Sequence, residues 1–231
     1  MNNNTTYKDK LLSVDQRGDI ERTSMQYAFD GCENLQVLAT DTPDLSQVTH
    51  MGGMFQNTTN LTGNFSGWDT SNVTNMSWAF SNAWNFNQPL SSWDTSNVTN
   101  MQGMFSFAME FNQPLSSWNT SNVTTMSNMF TNATSFNHPV NNWNTSKVTH
   151  MGGMFREASA FNQPLNGWDT SKVTDMYDMF HNATSFNQDL SARVVTGVNN
   201  RGMLDTFSNT NLSIYNYNAI LDSRSQQEIQ T

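Results

Sequence analysis

The sequence predicts a repeat solenoid of 25-residue coils, each carrying short strands and a short helical or 3₁₀ segment. Three columns of residues carry that expectation. Met51, Met76, Met101, Met126, Met151 and Met176 recur every 25 residues. Trp68, Trp93, Trp118, Trp143 and Trp168 keep the same interval, and so do Phe55, Phe80, Phe105, Phe130, Phe155 and Phe180. Gap-free self-similarity at one period is the sequence signature of units that stack on their own copies.

The elements of one unit follow from residue type. Phe86, Leu90, Trp93, Val98, Met101, Met104, Phe105 and Ala108 are its apolar set. A lone unit cannot bury them, because its other faces are polar; stacked units bury them against their equivalents above and below. Met101, Phe105 and Ala108 fall near helical spacing, with Thr99 or Asn100 as a cap, so a short helix or 3₁₀ segment is expected at about 100–108. Leu90 to Trp93 and Val98 to Met101 are short extended candidates, with Pro89 at the strand entrance, where its missing N–H is tolerated. Asn87, Asn112, Asn137, Asn162 and Asn187 repeat at one turn position and are expected to bond backbone as an asparagine ladder.

Fainter copies flank the regular ones. "MQYAFDGCENL" (25–35) aligns with "MSWAFSNAWNF", which places Cys32 where Ala83 stands. "MLDTF" (203–207) follows Met176 by 27 residues, implying a two-residue insertion before it. The chain divides into a leading segment (1–24), an array of about seven to eight units (25–207) and a closing segment with tail (208–231).

Composition narrows the function classes. Only 36% of the chain is hydrophobic and 13% charged, yet evenly spaced Trp, Phe and Met argue against disorder. The net charge is -9, and no Lys or Arg lies between Arg22 and Lys147. Phosphate backbones and anionic lipid surfaces both call for clustered cations, so neither partner is expected. Cys32 is the one cysteine, which rules out an intrachain disulfide; it reads as a small buried hydrophobe with an inert thiol. No apolar run reaches the roughly 18 residues of a membrane span. The opening "MNNNTTYKDKLLSVDQRGD" has no apolar core and is not expected to act as a signal peptide.

"FNQPLSSWDTSNVTNMQGMFSFA" (86–108) resembles the 25-residue tandem repeat of the BspA-like leucine-rich-repeat surface proteins, best known from mycoplasma lipoproteins. "MQYAFDGCENLQVL" is similar to the commoner form of that repeat, and "TNLSIYNYNAILDS" (210–223) to the segment that closes such arrays. The resemblance spans about residues 25–222. It implies a leucine-rich-repeat-type solenoid, a surface-exposed binding or adhesion role, and placement at the cell surface or in the secreted fraction.

A search for chemistry finds no convergent titratable set, so no enzyme, cofactor or metal is expected. His50 and His150 share a repeat position but stand four units apart, about 19 Å at a strand-like spacing, too far to hold one metal. Asp69, Asp94, Asn119, Asn144 and Asp169 form a column that reads as turn-capping; a cation shared by Asp69 and Asp94 is the rival reading. Thr70, Thr95, Thr120, Thr145 and Thr170 raise the thought of an ice- or mineral-binding array, although they lie at a bend rather than on a strand. The tripeptide Arg17-Gly18-Asp19 matches an integrin-binding motif but stands alone and outside the periodic region, so solvated surface charge is the favoured reading.

Positions that vary between copies are free of the fold's demands. They hold Gly, Ser, Asn or Thr in most units, but two neighbouring units carry Trp78, Trp84, Phe107 and Met109 there. These four are the expected ligand-binding residues, an apolar patch on a rigid repeat face. The expected function is non-enzymatic recognition or adhesion, with a protein or glycan on another surface as partner. The rivals are a thickened core at these residues, and a structural spacer without a ligand of its own.

Overall fold

A computed structural model of the protein describes residues 11–15, 22–191 and 203–229. Regular secondary structure is sparse. Strands β1 (Ser13–Val14), β2 (Gln36–Val37) and β3 (Thr62–Gly63) form a parallel sheet in the order β1-β2-β3, and helix α1 covers Ile214–Ile229. At another position of the repeat, units are joined by single parallel bridges that step along one column: His50 to Asn75, Asn100, Thr125, His150 and Asp175. Each step is one repeat, so consecutive units lie in register on each other.

The run 100–108 is a succession of tight turns, not the expected helix or 3₁₀ segment. Met104 N–H donates to Met101 O, Ser106 to Gly103 O and Ala108 to Phe105 O, each closing a turn within the unit. The intervening residues donate outward: Met101 to Thr125 O, Gly103 to Ser127 O, Phe105 to Met129 O and Phe107 to Thr131 O. Amides thus alternate between their own unit and the next one. A helix sends every interior N–H back along its own axis, so it would leave the stack without this ladder. Left-handed residues enforce the alternation: Gly103 has φ 61° and Phe107 φ 59°. The expected extended pieces at 90–93 and 98–101 are likewise turns plus a single bridge at Asn100. Trp93 N–H donates to Leu90 O, and Val98 to Thr95 O.

The apolar columns form one continuous core. Trp93 is 3% exposed, and Val98, Met101 and Phe105 are fully buried. Phe80, Phe105, Phe130 and Phe155 stack at 5.6 Å per step, with ring planes within 11° of parallel. Four indoles of the column also find a polar partner: Trp93, Trp118, Trp143 and Trp168 donate Nε1–H to carbonyl oxygens of the preceding unit at 2.8–3.1 Å. Cys32 takes its place in the core at 5% exposure.

Polar columns bind unit to unit as well. Oδ1 of Asn87, Asn112, Asn137 and Asn162 accepts the backbone N–H of the next asparagine at 2.9–3.0 Å, so the ladder spans units rather than closing a local turn. It ends where Asn187 receives Ser213 N–H and the Asn216 amide, which seats the start of α1 on the last regular unit. The two-residue insertion is also present, since Phe180 stacks on Phe207 and donates to Thr206 O.

Candidate functional site

The column that contains Trp78 explains most of the exposed relief. Its members are Tyr27, Gly53, Trp78, Gly103, Asn128, Gly153 and Asp178, and all have positive φ, between 52° and 64°. Large residues alternate with glycine for a steric reason. A methyl group on Gly53 would overlap the Tyr27 ring, and one on Gly103 would overlap the Trp78 ring. Each aromatic side chain folds onto the glycine of the following unit.

The four expected ligand-binding residues therefore have unequal settings. Trp84 is 47% exposed and Phe107 38%, whereas Trp78 and Met109 are half-buried. Trp84 and Met109 occupy the same position in adjacent units, and Glu110 N–H donates to Trp84 O beside them. Phe107 lies two residues before Met109 and one step along the stack from Asn82, so these three residues are neighbours by register. Trp78 stands apart over Gly103. Trp84 and Phe107 are open surface, while Trp78 packs over Gly103.

Phe107 departs most from its column. Asn57, Asn82, Asn132 and Asn182 hold the equivalent left-handed position, which Asn tolerates better than bulky residues do. Their amides link along the stack: Asn57 donates to Asp30, Asn82 to Asn57, and Asn132 to Glu157. Phe107 interrupts this line with a ring that cannot take part.

The remaining sequence candidates settle into structural roles or fall outside the described residues. Asp69, Asp94, Asn119, Asn144 and Asp169 each accept the N–H two residues on, at 2.8–3.1 Å, which closes a local turn. Hydrogen bonds from Ser71 hold the Asp69 carboxyl below the usual aspartate range. The Thr70 to Thr170 column is buried, and Thr70, Thr95, Thr120 and Thr145 donate their hydroxyls to backbone of the next unit. The thought of a mineral-binding lattice on this column is corrected accordingly, since the hydroxyls face inward. Arg17 and Asp19 lie outside the described residues. Among the described residues, no three His, Cys, Asp or Glu side chains gather to hold a metal ion, and no helix is long and apolar enough to cross a membrane.

One feature gave no sequence signal. A hollow of about 370 Å³ opens over Gly152 and Gly153, lined by Gln102, Ser127, Asn128, His150, Asp175 and Tyr177. Four successive units contribute to it, so it exists only through the stacking.

The fold and these columns define a tandem-repeat protein whose variable surface sits on a fixed frame. The chain belongs to the family described as Mycoplasma protein of unknown function, DUF285, which matches residues 23–124 and again 113–218. A search of curated proteins found no match.

Proposed function

We propose that the chain is a non-enzymatic recognition module, a BspA-like solenoid of the leucine-rich-repeat type, acting at the cell surface or after secretion. It binds a partner through the apolar surface around Trp84, Phe107 and Met109, with Trp78 as its packed margin. One observation carries this reading. Phe107 holds a left-handed position that asparagine fills in other units, breaks an amide line there, and leaves its ring 38% exposed. Backbone strain kept at a surface residue points to use of that residue.

Aromatic and thioether side chains without nearby cations favour a protein partner with an apolar spot of its own, though a glycan face that stacks on rings fits the same surface. Contact of this kind depends weakly on salt. The test is the double variant Trp84→Ser with Met109→Ser, placing the small polar residues of other units at both positions. It should unfold at the same temperature as the parent protein while losing attachment to host-cell or matrix protein arrays. If the variant unfolds early, these side chains belong to the core. If attachment is unchanged, binding runs through another surface and the Trp84 reading fails; if the parent protein itself binds nothing, the chain acts as a spacer.

A further inference from the structure

We propose a second binding site, for a neutral saccharide, in the hollow over Gly152 and Gly153. The repeats supply their own comparison. Gly53 is roofed by the ring of Tyr27, and Gly103 by the ring of Trp78. At the third occurrence the roofing residue is Asn128, whose Oδ1 reaches Gly153 but whose side chain has no ring. Asn128 covers its glycine with a smaller side chain than a ring, and a hollow of about 370 Å³ opens beside it. Small-molecule sites run from roughly 300 to 1,000 Å³.

The lining fits a ligand rich in hydroxyls. Asp175 Oδ1 accepts Tyr177 N–H, and Oδ2 lies over Gly152 with no partner among the described residues. His150 engages Thr149 through Nδ1, so its Nε2 is free. Among the described residues, the amide of Gln102, the hydroxyl of Ser127, Nδ2 of Asn128 and the phenol of Tyr177 carry no hydrogen bond either. Donors and acceptors are thus mixed around one hollow, and a sugar hydroxyl is both. Tyr177 stands at the rim, 45% exposed, offering a ring face to the apolar side of a pyranose.

Charge selects against acidic ligands. Arg156, the cation of the hollow, is held by Asp178 at 3.2 Å and by Glu157 at 3.4 Å. Asp175 adds a further carboxylate, so the balance is negative and a phosphate, sulfate or sialic acid would be repelled. None of Trp78, Trp84, Phe107 and Met109 lines the hollow.

The experiment is a glycan array of neutral oligosaccharides with sialylated and sulfated controls, followed by calorimetry of the best neutral hit. Asn128→Trp restores the roof that Trp78 provides at the same backbone angle, and should weaken binding by at least about tenfold, or ~1.4 kcal/mol. Tyr177→Ala, at an exposed side chain, should weaken it comparably even if the tryptophan variant folds poorly. Trp84→Ser with Met109→Ser should leave it unchanged, which separates this site from the apolar surface. Absence of any neutral hit, preference for acidic glycans, or full binding by both hollow variants would overturn the proposal.

Discussion

The ring of Trp78 lies so close over Gly103 that one methyl group on the glycine would overlap it. Gly103 also has φ 61°, a region where a Cβ is strained whatever the space. Gly103→Ala should therefore destabilise the protein by about 1–3 kcal/mol. Gly52 is its contrast: a Cβ there would meet Ser77 Oγ at an ordinary 3.4 Å, and its φ is not positive. Gly52→Ala should be neutral or stabilising by up to ~1 kcal/mol, through loss of unfolded-state freedom. Urea unfolding midpoints of the two variants decide the matter, and equal losses would contradict the assigned packing.

Phe107→Asn should raise stability by about 1 kcal/mol, because asparagine accepts the left-handed backbone that phenylalanine resists. It also restores an amide between Asn82 and Asn132. The same change should reduce partner binding. Thermal unfolding alongside the attachment assay would show stability and binding moving in opposite directions, and a loss of stability would remove the strain argument.

Phe105 is fully buried and stacks on Phe80, Phe111 and Phe130 at 4.0–5.6 Å. Phe105→Ala should cost about 3–5 kcal/mol as a large-to-small core change. Trp118→Phe keeps an aromatic ring in the stack but removes one of two donors to Leu90 O, which still accepts Trp93 N–H, so the lost hydrogen bond should cost only about 0.5–1.5 kcal/mol. Denaturant titration ranks the two, and a change near zero for Phe105→Ala would refute the register of the stack.

The Asp69 carboxyl titrates below its unfolded range because Ser71 hydrogen-bonds the charged form. A lowered folded pKa gives stability that is fully present above the unfolded value and fades as pH falls through the folded one. Asp189 behaves alike, through Ser191. Asp69→Asn should keep the turn, as Asn119 and Asn144 do, while flattening the loss of melting temperature below the ordinary aspartate range. Both groups are largely exposed, so the effect is small and shrinks in salt. A steeper acid loss in the variant would contradict the sign.

The period, the buried columns and the break in periodicity before Met203 were legible in the sequence, because each rests on residues spaced by whole units. The local conformation of each unit was not. Met101, Phe105 and Ala108 mimic helical spacing, yet the recurring Gly and Asn at 53, 57, 82, 103, 132, 153 and 182 are the left-handed positions of a turn ribbon. That signal was present in the chain and was outweighed by the apolar spacing. The patch was half legible: variation between copies singled out Trp78, but only the structure shows that Gly103 is its seat. The hollow at Gly153 was illegible, since it depends on a ring that is missing from Asn128 rather than on a residue that is present.

The constant 25-residue step between Met51 and Met176 has a consequence for descent. The ladder bonds recur at fixed offsets from unit to unit, so deleting or duplicating a whole unit returns each group to a partner at the same repeat position. Recombination between near-identical coding repeats makes such edits in one step. Each edit changes reach by about 4.8 Å and adds or removes a set of free positions. Lineages can therefore vary the length and the face of this protein together, while the seam between units stays the same.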